Sequence, residues 1–524
     1  MFRLILALLP ERYLFYVIYD DAYYYFAVAK NLTSRGMLSV DGFHLTNGFH
    51  PLWLFVLIPI FFIFQGSLWV CVRWAVAFSA VFDTAAAWFI YKTLERLGRK
   101  RAGFWAAAFY LFNPYGLLHT MNGLETAQNS FLLAVLVYLS VRATSDWLKT
   151  GWPVLGTMCG FALLSRTDNV FVVGALCGYF FWRERAFVPV LRIAAVASLL
   201  VLPWLVFNFF TFGTVLQTSA GAFPSFHHHQ QYLSEHSSYW RWALIPHLLR
   251  VAYESFVLNA YHYGNWVLTL LLSAVLARQM LRRPGAFRPL AWTLAGAALF
   301  AAFHILVRWT WRLWYPQAIF VLTLPLVALA LEKLNPKWIA LGGVAALALG
   351  AWVVWVCPFQ MIDRYPLMLD IINRRIPPGD RVGAFNSGYL QYFTDRRVLN
   401  LDGVVNNEII PYYEVKEGLA YLRKERVRWI MDTPLFLGGI FGSYFGPGVK
   451  DSLALAYVVP NIVYRGNTVI VAQVQLDSVP LPPEKKTLFA KLIEVWKTRP
   501  ASRNWGGFQF FPKKYSKAIG PPQK

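Results

Sequence analysis

The chain carries little charge for its length. Of 524 residues only 15% are Asp, Glu, Lys or Arg, against roughly a quarter in an ordinary soluble domain. With 57% hydrophobic residues, this excludes both a soluble globule and a disordered chain. Cysteine is also scarce. Cys71, Cys159 and Cys177 fall inside apolar runs and Cys357 closes the last one. No pair has metal-ligand spacing and no disulfide framework can be read, so they are expected to be small core residues. Acidic residues number 27 against 49 basic ones. A net charge of +22 would suggest nucleic acid in a soluble protein. Here most of the basic residues lie in short loops between apolar runs or in the C-terminal tail. Membrane topology and anionic headgroups explain that placement, and no nucleic-acid partner is expected.

What the chain does have is apolar runs long enough to cross a bilayer core of ~30 Å. Candidate spans are 3–19, 69–91, 102–118, 126–142, 152–165, 170–182, 189–210, 264–280, 290–306, 314–331 and 338–357. The fifth and sixth are short and broken around Ser165–Asn169. The first is interrupted by Pro10-Glu11-Arg12 and lacks a signal-peptide cleavage site. The stretch 51–65 is too short to span and reads as a juxtamembrane helix.

Basic residues orient these spans. With the N-terminus in the cytoplasm and 51–65 left out, fifteen basic residues, including the Arg96–Arg101 cluster, fall in the short inner connections. The outer loops hold Lys30, Arg35, Arg166, Arg241, Arg250, Arg308 and Arg312. Counting 51–65 as a span would put the Arg96–Arg101 cluster outside. The expected architecture is therefore mainly α: a polytopic domain of about eleven spans over 1–357, with a first outer loop at 21–68, in the plasma membrane. Residues 358–484 then form a small extracytoplasmic α/β domain, and 485–524 a basic, aromatic tail. In the α/β domain strands are expected at Asp380–Phe385, Arg397–Leu401 and Val427–Met431. Helical stretches are expected at Gly388–Thr394 and Glu414–Lys424, and a hairpin from 456–463 and 468–474. No glycine-rich phosphate loop occurs there, so no nucleotide is assigned.

Ionisable groups at a membrane edge are costly and mark candidate sites. Asp20-Asp21, followed by Ala22-Tyr23-Tyr24-Tyr25-Phe26, places carboxylates beside an aromatic wall. One of them could serve as a general base or help to hold a divalent metal, and Tyr24 could line the substrate. The pair reads equally well as solvated helix-end acids. Between Asp41 and Trp53 two Asx–Gly turns return the chain to the membrane, with His44, Asn47 and His50 as candidate substrate contacts; the alternative is that these turns merely dock the short helix. Glu125, in Asn122-Gly-Leu-Glu-Thr126, has no structural reason to be charged unless it is paired. Arg166 and Asp168 carry both signs between two short spans and read first as a structural ion pair. Arg308 and Arg312, in an aromatic outer loop, suit a phosphate or a belt of snorkelling arginines. His227-His-His229 lacks metal-site spacing. Asn31-Leu-Thr33 matches a glycosylation acceptor in form alone. Asp83 lies inside the second span with no evident partner.

Asp20-Asp21 with Tyr23–Tyr25, Thr46-Asn-Gly-Phe-His-Pro-Leu-Trp53, Asn122–Thr126, Ser165–Asp168, Phe385–Gly388 and Asn400–Gly403 together resemble the prokaryotic polytopic glycosyltransferases of the GT-C class. The resemblance covers most of the chain. It implies a sugar donor carried on a polyprenyl phosphate or pyrophosphate, transfer on the extracytoplasmic side to a lipid, glycan or protein acceptor of the envelope, and an acidic residue of the first outer loop in the active site. It also implies two juxtamembrane helices in that loop, in agreement with the charge argument. By position Asp20 matches the first acid of the class motif and Asp21 the second, and Asp20 is the favoured base. A transporter or lipid flippase is the competing class, and a glycan-binding scaffold a third.

Overall fold

A computed structural model describes residues 2–220, 275–304, 312, 314–332, 337, 341–345, 348, 364–433, 436–437, 441–446, 449–459 and 469–476. The expected domain boundary near 357, Cys357, Arg308, His227–His229 and the tail from 485 lie outside the described residues. Where described, the N-terminal part is a helical bundle and the C-terminal part a small sheet with flanking helices.

The first span is broken where its sequence breaks. Helix α1 (Phe2–Ala7) stops before Pro10, which caps a second short helix, α2 (Glu11–Val17). The gap is held by arginines. Arg73 Nη1 donates to the carbonyls of Ala7 and Leu9 at 2.8 and 2.7 Å, satisfying oxygens that the helix end leaves open. Arg3 meets Asp83 at 2.6 Å, both buried, so the acid inside the second span has its partner. Arg3 also donates to the carbonyls of Tyr110 and Leu111 and to Thr120 Oγ1. Those carbonyls belong to the end of α6 (Lys100–Phe112), which stops before Pro114 and continues as α7 (Pro114–Thr120). The expected single span 102–118 is thus two helices, because proline at 114 cannot continue the ladder.

The segment expected to be the first outer loop holds two helices, α3 (Asp20–Arg35) and α4 (Pro51–Ile63). Helix α4 is a short element ahead of α5 (Leu68–Arg96). Helices α8 (Thr126–Arg142), α9 (Ser145–Ser165), α10 (Val170–Glu184) and α11 (Phe187–Phe212) follow. The break between α9 and α10 falls at Arg166 and the 3-10 turn Thr167–Asn169. Among the described helices α5 and α11 are long and apolar enough to cross a membrane. Helix α11 leaves much of its apolar surface uncovered, with Leu199 and Phe210 among its exposed side chains. Helices α12 (Ala291–Ala302) and α13 (Pro316–Leu331) complete the described bundle.

After α14 (Arg364–Arg374), strands β1 (Arg381–Ala384), β2 (Val398–Asn400), β3 (Val427–Asp432), β4 (Leu453–Val459) and β5 (Val469–Val474) form a mixed sheet in the order β2-β1-β3-β5-β4. Strand β1 runs parallel to β2 and β3, whereas β5 is antiparallel to both β3 and β4. Helix α15 (Gly388–Phe393) crosses from β1 to β2, and α16 (Gly418–Lys424) precedes β3. Successive residues of β5 serve different cores, as a period of two requires. Val469 and Val471 pack with α3, α4, α5 and α15, while Ile470 and Ala472 pack on the opposite face with Phe385 and Leu399. The sheet domain therefore shares one apolar core with α3, α4 and α5.

Candidate active site

Three segments meet at the start of α3: the Asp20-Asp21 turn, the loop after β1 and the loop after β2. Parallel strands deliver such loops at their C-terminal ends, where sites in open sheets form. Asp20 is buried, and both its oxygens are taken. Oδ1 accepts from the amide of Tyr389 at 2.8 Å and Oδ2 from that of Gly388 at 3.2 Å. These are amides of the first turn of α15, which have no partner inside their own helix. The approach is so close that a Cβ at residue 388 would collide with the Asp20 carbonyl oxygen. Burial pushes the Asp20 carboxyl up to about 7; the two amides lower it and Asp21 raises it.

Asp21 leaves the helix about 100° away. It is half-buried, and among the described residues its side chain makes no hydrogen bond or ion pair. Burial raises its carboxyl, the Arg312 guanidinium lowers it and Glu125 adds repulsion. Arg312 is exposed. The two adjacent acids thus occupy unlike environments, one fixed by amides and one open to a ligand.

Tyr24 joins the loops. Its hydroxyl accepts from the Ser387 amide at 3.1 Å and from Asn400 Nδ2 at 2.9 Å. Its single proton has the Phe385 carbonyl and Asp402 Oδ2 within 3.3 and 3.4 Å. Asp402 is a third carboxylate of this site, pushed up to about 8 by burial, with Asp21 and Asp20 adding repulsion. It also accepts from the Val404 amide at 2.8 Å. The Asp402-Gly403 pair was legible as a turn after a strand; its meeting with α3 across the whole chain was not. Arg364 was likewise missed. It is buried, 3.7 Å from Asp432, whose Oδ2 accepts from the amides of Phe385 and Asn386 and so shapes the loop that holds Asp20.

A second group adjoins the first. Arg166 binds Asp168 with two nitrogens, at 3.0 and 2.6 Å, and Glu125 with the third, at 2.7 Å. Burial alone would raise Asp168, but Arg166 and His304, 2.9 Å away, hold it well below the usual carboxylate range. Glu125 accepts from the Tyr25 hydroxyl at 3.0 Å, and His50 lies 3.8 Å from it. His50 also meets Gln217 at 3.0 Å. The Arg166 guanidinium stacks over Tyr315 at 4.8 Å. Glu125, Arg166, Asp168 and His50 are therefore one network, with Glu125 and Arg166 buried and Asp168 and His50 half-buried.

His44 and Asn47 serve docking contacts instead. Asp41 Oδ1 accepts from the amides of Phe43 and His44, and its Oδ2 lies 2.7 Å from His44 Nδ1. Burial would raise Asp41, yet His44 and these amides hold it below its usual value. The hydrogen bond to Asp41 raises His44. His44 also lies 3.5 Å from Glu425, and with Glu408 and Glu425 it forms a group compact enough for a metal ion. Those two glutamates already face cations, Arg381 at 2.7 Å and Lys424 at 3.2 Å. Asn47 is buried between Asn208 and Asn407, at 3.2 and 3.0 Å. Asn31 is buried in α3 and donates to the carbonyls of Ser39 and Val40, which accounts for it structurally.

Residues 49–207 match the family model described as dolichyl-phosphate-mannose-protein mannosyltransferase, and residues 360–479 match a domain of unknown function. No curated protein matches the chain by sequence. Among solved structures it is similar to ArnT from Cupriavidus metallidurans in the apo state (12% identity, 88% of this chain and 94% of that one, TM-score 0.51). It is similar to the same protein bound to undecaprenyl phosphate (13%, 89% and 95%, TM-score 0.50). It is also similar to the oligosaccharyltransferase of Archaeoglobus fulgidus in the apo form (13%, 94% and 77%, TM-score 0.52). The chain has the fold of the GT-C class that its motifs resemble, with a small sheet domain at its C-terminus.

Proposed function

We propose that the chain is an integral membrane glycosyltransferase that moves a sugar from a polyprenyl-phosphate carrier to an envelope acceptor on the extracytoplasmic face, with Asp21 as general base. The observation that carries the reading is the division of labour at the start of α3: Asp20 is bound by two amides, whereas Asp21 makes no hydrogen bond among the described residues and lies near Arg312 and Glu125. In the reaction the acceptor hydroxyl gives its proton to an Asp21 carboxylate oxygen as its oxygen attacks the anomeric carbon. The bond from that carbon to the phosphate oxygen breaks, and the lipid phosphate leaves with the electron pair. Arg312 supplies positive charge to it. Arg308, in the same loop, is proposed for the same task. Glu125, Arg166, Asp168 and His50 form the rigid wall beside the base, and Tyr24 fixes the loops that carry Asp402. Support comes also from the family model over 49–207 and from the overall likeness to ArnT.

A transporter or flippase has less behind it. Such a protein would gather polar groups on broken helices near the membrane midplane, whereas among the described residues the buried carboxylates Asp20, Glu125, Asp402 and Asp432 collect around α3 and its neighbours. The test uses membranes supplied with a polyprenyl-phosphate sugar. Asp21→Asn should lower transfer by about 10²–10⁴-fold, the usual contribution of a general base. Transfer undiminished in Asp21→Asn would remove the assignment. No transfer by the parent chain from any such donor would remove the activity.

A further inference from the structure

At the far end of α3 a second cleft opens between the first outer loop and the sheet domain. It encloses about 260 Å³ and is lined by Lys30, Asn31, Arg35, Val40, Asp41, Phe43, Gln391 and Thr394–Val398. Its α3 residues, Lys30 to Arg35, lie roughly 14–21 Å along the helix from Asp21, at 1.5 Å per residue. Six of its residues are charged, four of them positive. The two acids are already matched, Asp41 by His44 at 2.7 Å and Asp395 by Lys30 at 3.6 Å. Arg396 donates to the carbonyls of Ile376 and Pro377. Arg35 and Arg397 remain. Both are exposed, and among the described residues neither guanidinium makes an ion pair or a hydrogen bond.

Their positions are nonetheless built. The Arg35 guanidinium rests in a notch at Gly42, where φ is +80° and a Cβ would collide with Nη1. Arg397 lies 4.8 Å from the centre of the Phe43 ring, and Phe43 is 48% exposed. Guanidinium groups held without a partner choose carboxylate or phosphoryl oxygens, which their fork fits. The exposed ring adds a flat apolar surface of the kind that receives the C–H face of a sugar. The volume is below the roughly 300 Å³ at which pockets for drug-sized ligands begin, and so suits a single hexose.

We infer that this cleft binds an acidic sugar, one carrying a carboxylate or phosphoryl group, as an acceptor subsite outside the catalytic centre. Its place in transfer rests on the glycosyltransferase reading, but binding itself requires no transfer. In the proposed arrangement Arg35 and Arg397 hold the acidic group and Phe43 carries the ring. Specificity for an acidic glycan is then set at the seam between two domains, away from the reacting bond.

The experiment is saturation-transfer difference NMR on the full chain in nanodiscs of neutral lipid, with galacturonate and galactose as probes. Galacturonate should show transfer and galactose none, and inorganic phosphate should compete. Replacing both arginines, Arg35→Gln with Arg397→Gln, should weaken galacturonate binding by about tenfold or more, as expected when charge-assisted contacts are lost. Arg374→Gln, which changes an exposed arginine elsewhere on the sheet domain, should leave it unchanged, and the thermal midpoint shows that the double variant is folded. Asp21→Asn should keep full binding while losing transfer, which separates this inference from the catalytic one. Equal signals from the two sugars, or an unaffected double variant, would overturn the proposal. So would loss of the galacturonate signal in anionic-lipid nanodiscs, since the cleft would then take a headgroup.

Discussion

Arg3 and Asp83 form a buried ion pair at 2.6 Å that ties the first helix to the middle of the second span. Neither charge could stand alone there. Two charges removed from water are stable only with good geometry and further hydrogen bonds, and here Tyr110 donates to Asp83 at 2.6 Å while Arg3 donates to two carbonyls.

Breaking this pair is expected to cost about 3–5 kcal/mol, the usual penalty for leaving one buried charge. Arg3→Met or Asp83→Leu alone should therefore lower the thermal midpoint sharply in detergent. The double variant should recover most of the loss, because a buried apolar pair is often neutral or better. A double variant no better than the single ones would show that the pair contributes more than mutual neutralisation.

Asp20 and Asp402 make stability depend on pH. Both have folded values raised above the ordinary 3.8, to about 7 and about 8, chiefly by burial. A raised acid binds its proton more tightly in the folded chain, so its contribution is complete below pH 3.8 and is lost as pH rises through the folded value. The midpoint should fall between pH 4 and 8. Asp20→Asn should flatten the lower part of that dependence. A midpoint constant over the whole window would contradict the expectation.

The rate of transfer should have an acid limb set by Asp21, which must be ionised to accept a proton. Its carboxyl is raised by burial and lowered by Arg312. Removing that cation in Arg312→Gln should raise the carboxyl further and move the limb to higher pH, besides slowing leaving-group departure. If the limb stays in place while the rate falls, Arg312 acts on the phosphate alone.

Much of this architecture was legible from local patterns. Apolar period and proline placement determined where helices start and stop: the break at Pro10, the short helix at Pro51 and the interruption at Arg166 all stand in the structure. Alternating burial and turn residues marked all five strands to within a few residues. The short apolar stretch at 51–65 was expected to be a helix of its own ahead of the next long one, and α4 is a 13-residue helix before α5. The turn expected at Asp41-Gly42 stands, with Gly42 at a φ of +80° and the Asp41 carboxylate accepting from the Phe43 and His44 amides, whereas no turn forms at Asn47-Gly48. The contacts of His44 and Asn47 depend on Glu425, Asn208 and Asn407, which no local pattern connects to them.

What the sequence determined by itself was the inventory: a helical, charge-poor chain, an acidic pair at the start of a helix, and a sheet domain appended to it. Which acid of that pair is free was decided only by the tertiary structure. Asp20 and Asp21 are the same residue type on the same turn, and nothing local distinguishes them. The distinction comes from the first turn of α15, whose amides need an acceptor and find it in Asp20 from far along the chain. Hydrogen-bond demand at a helix end is a local property, but the group that meets it is chosen by packing.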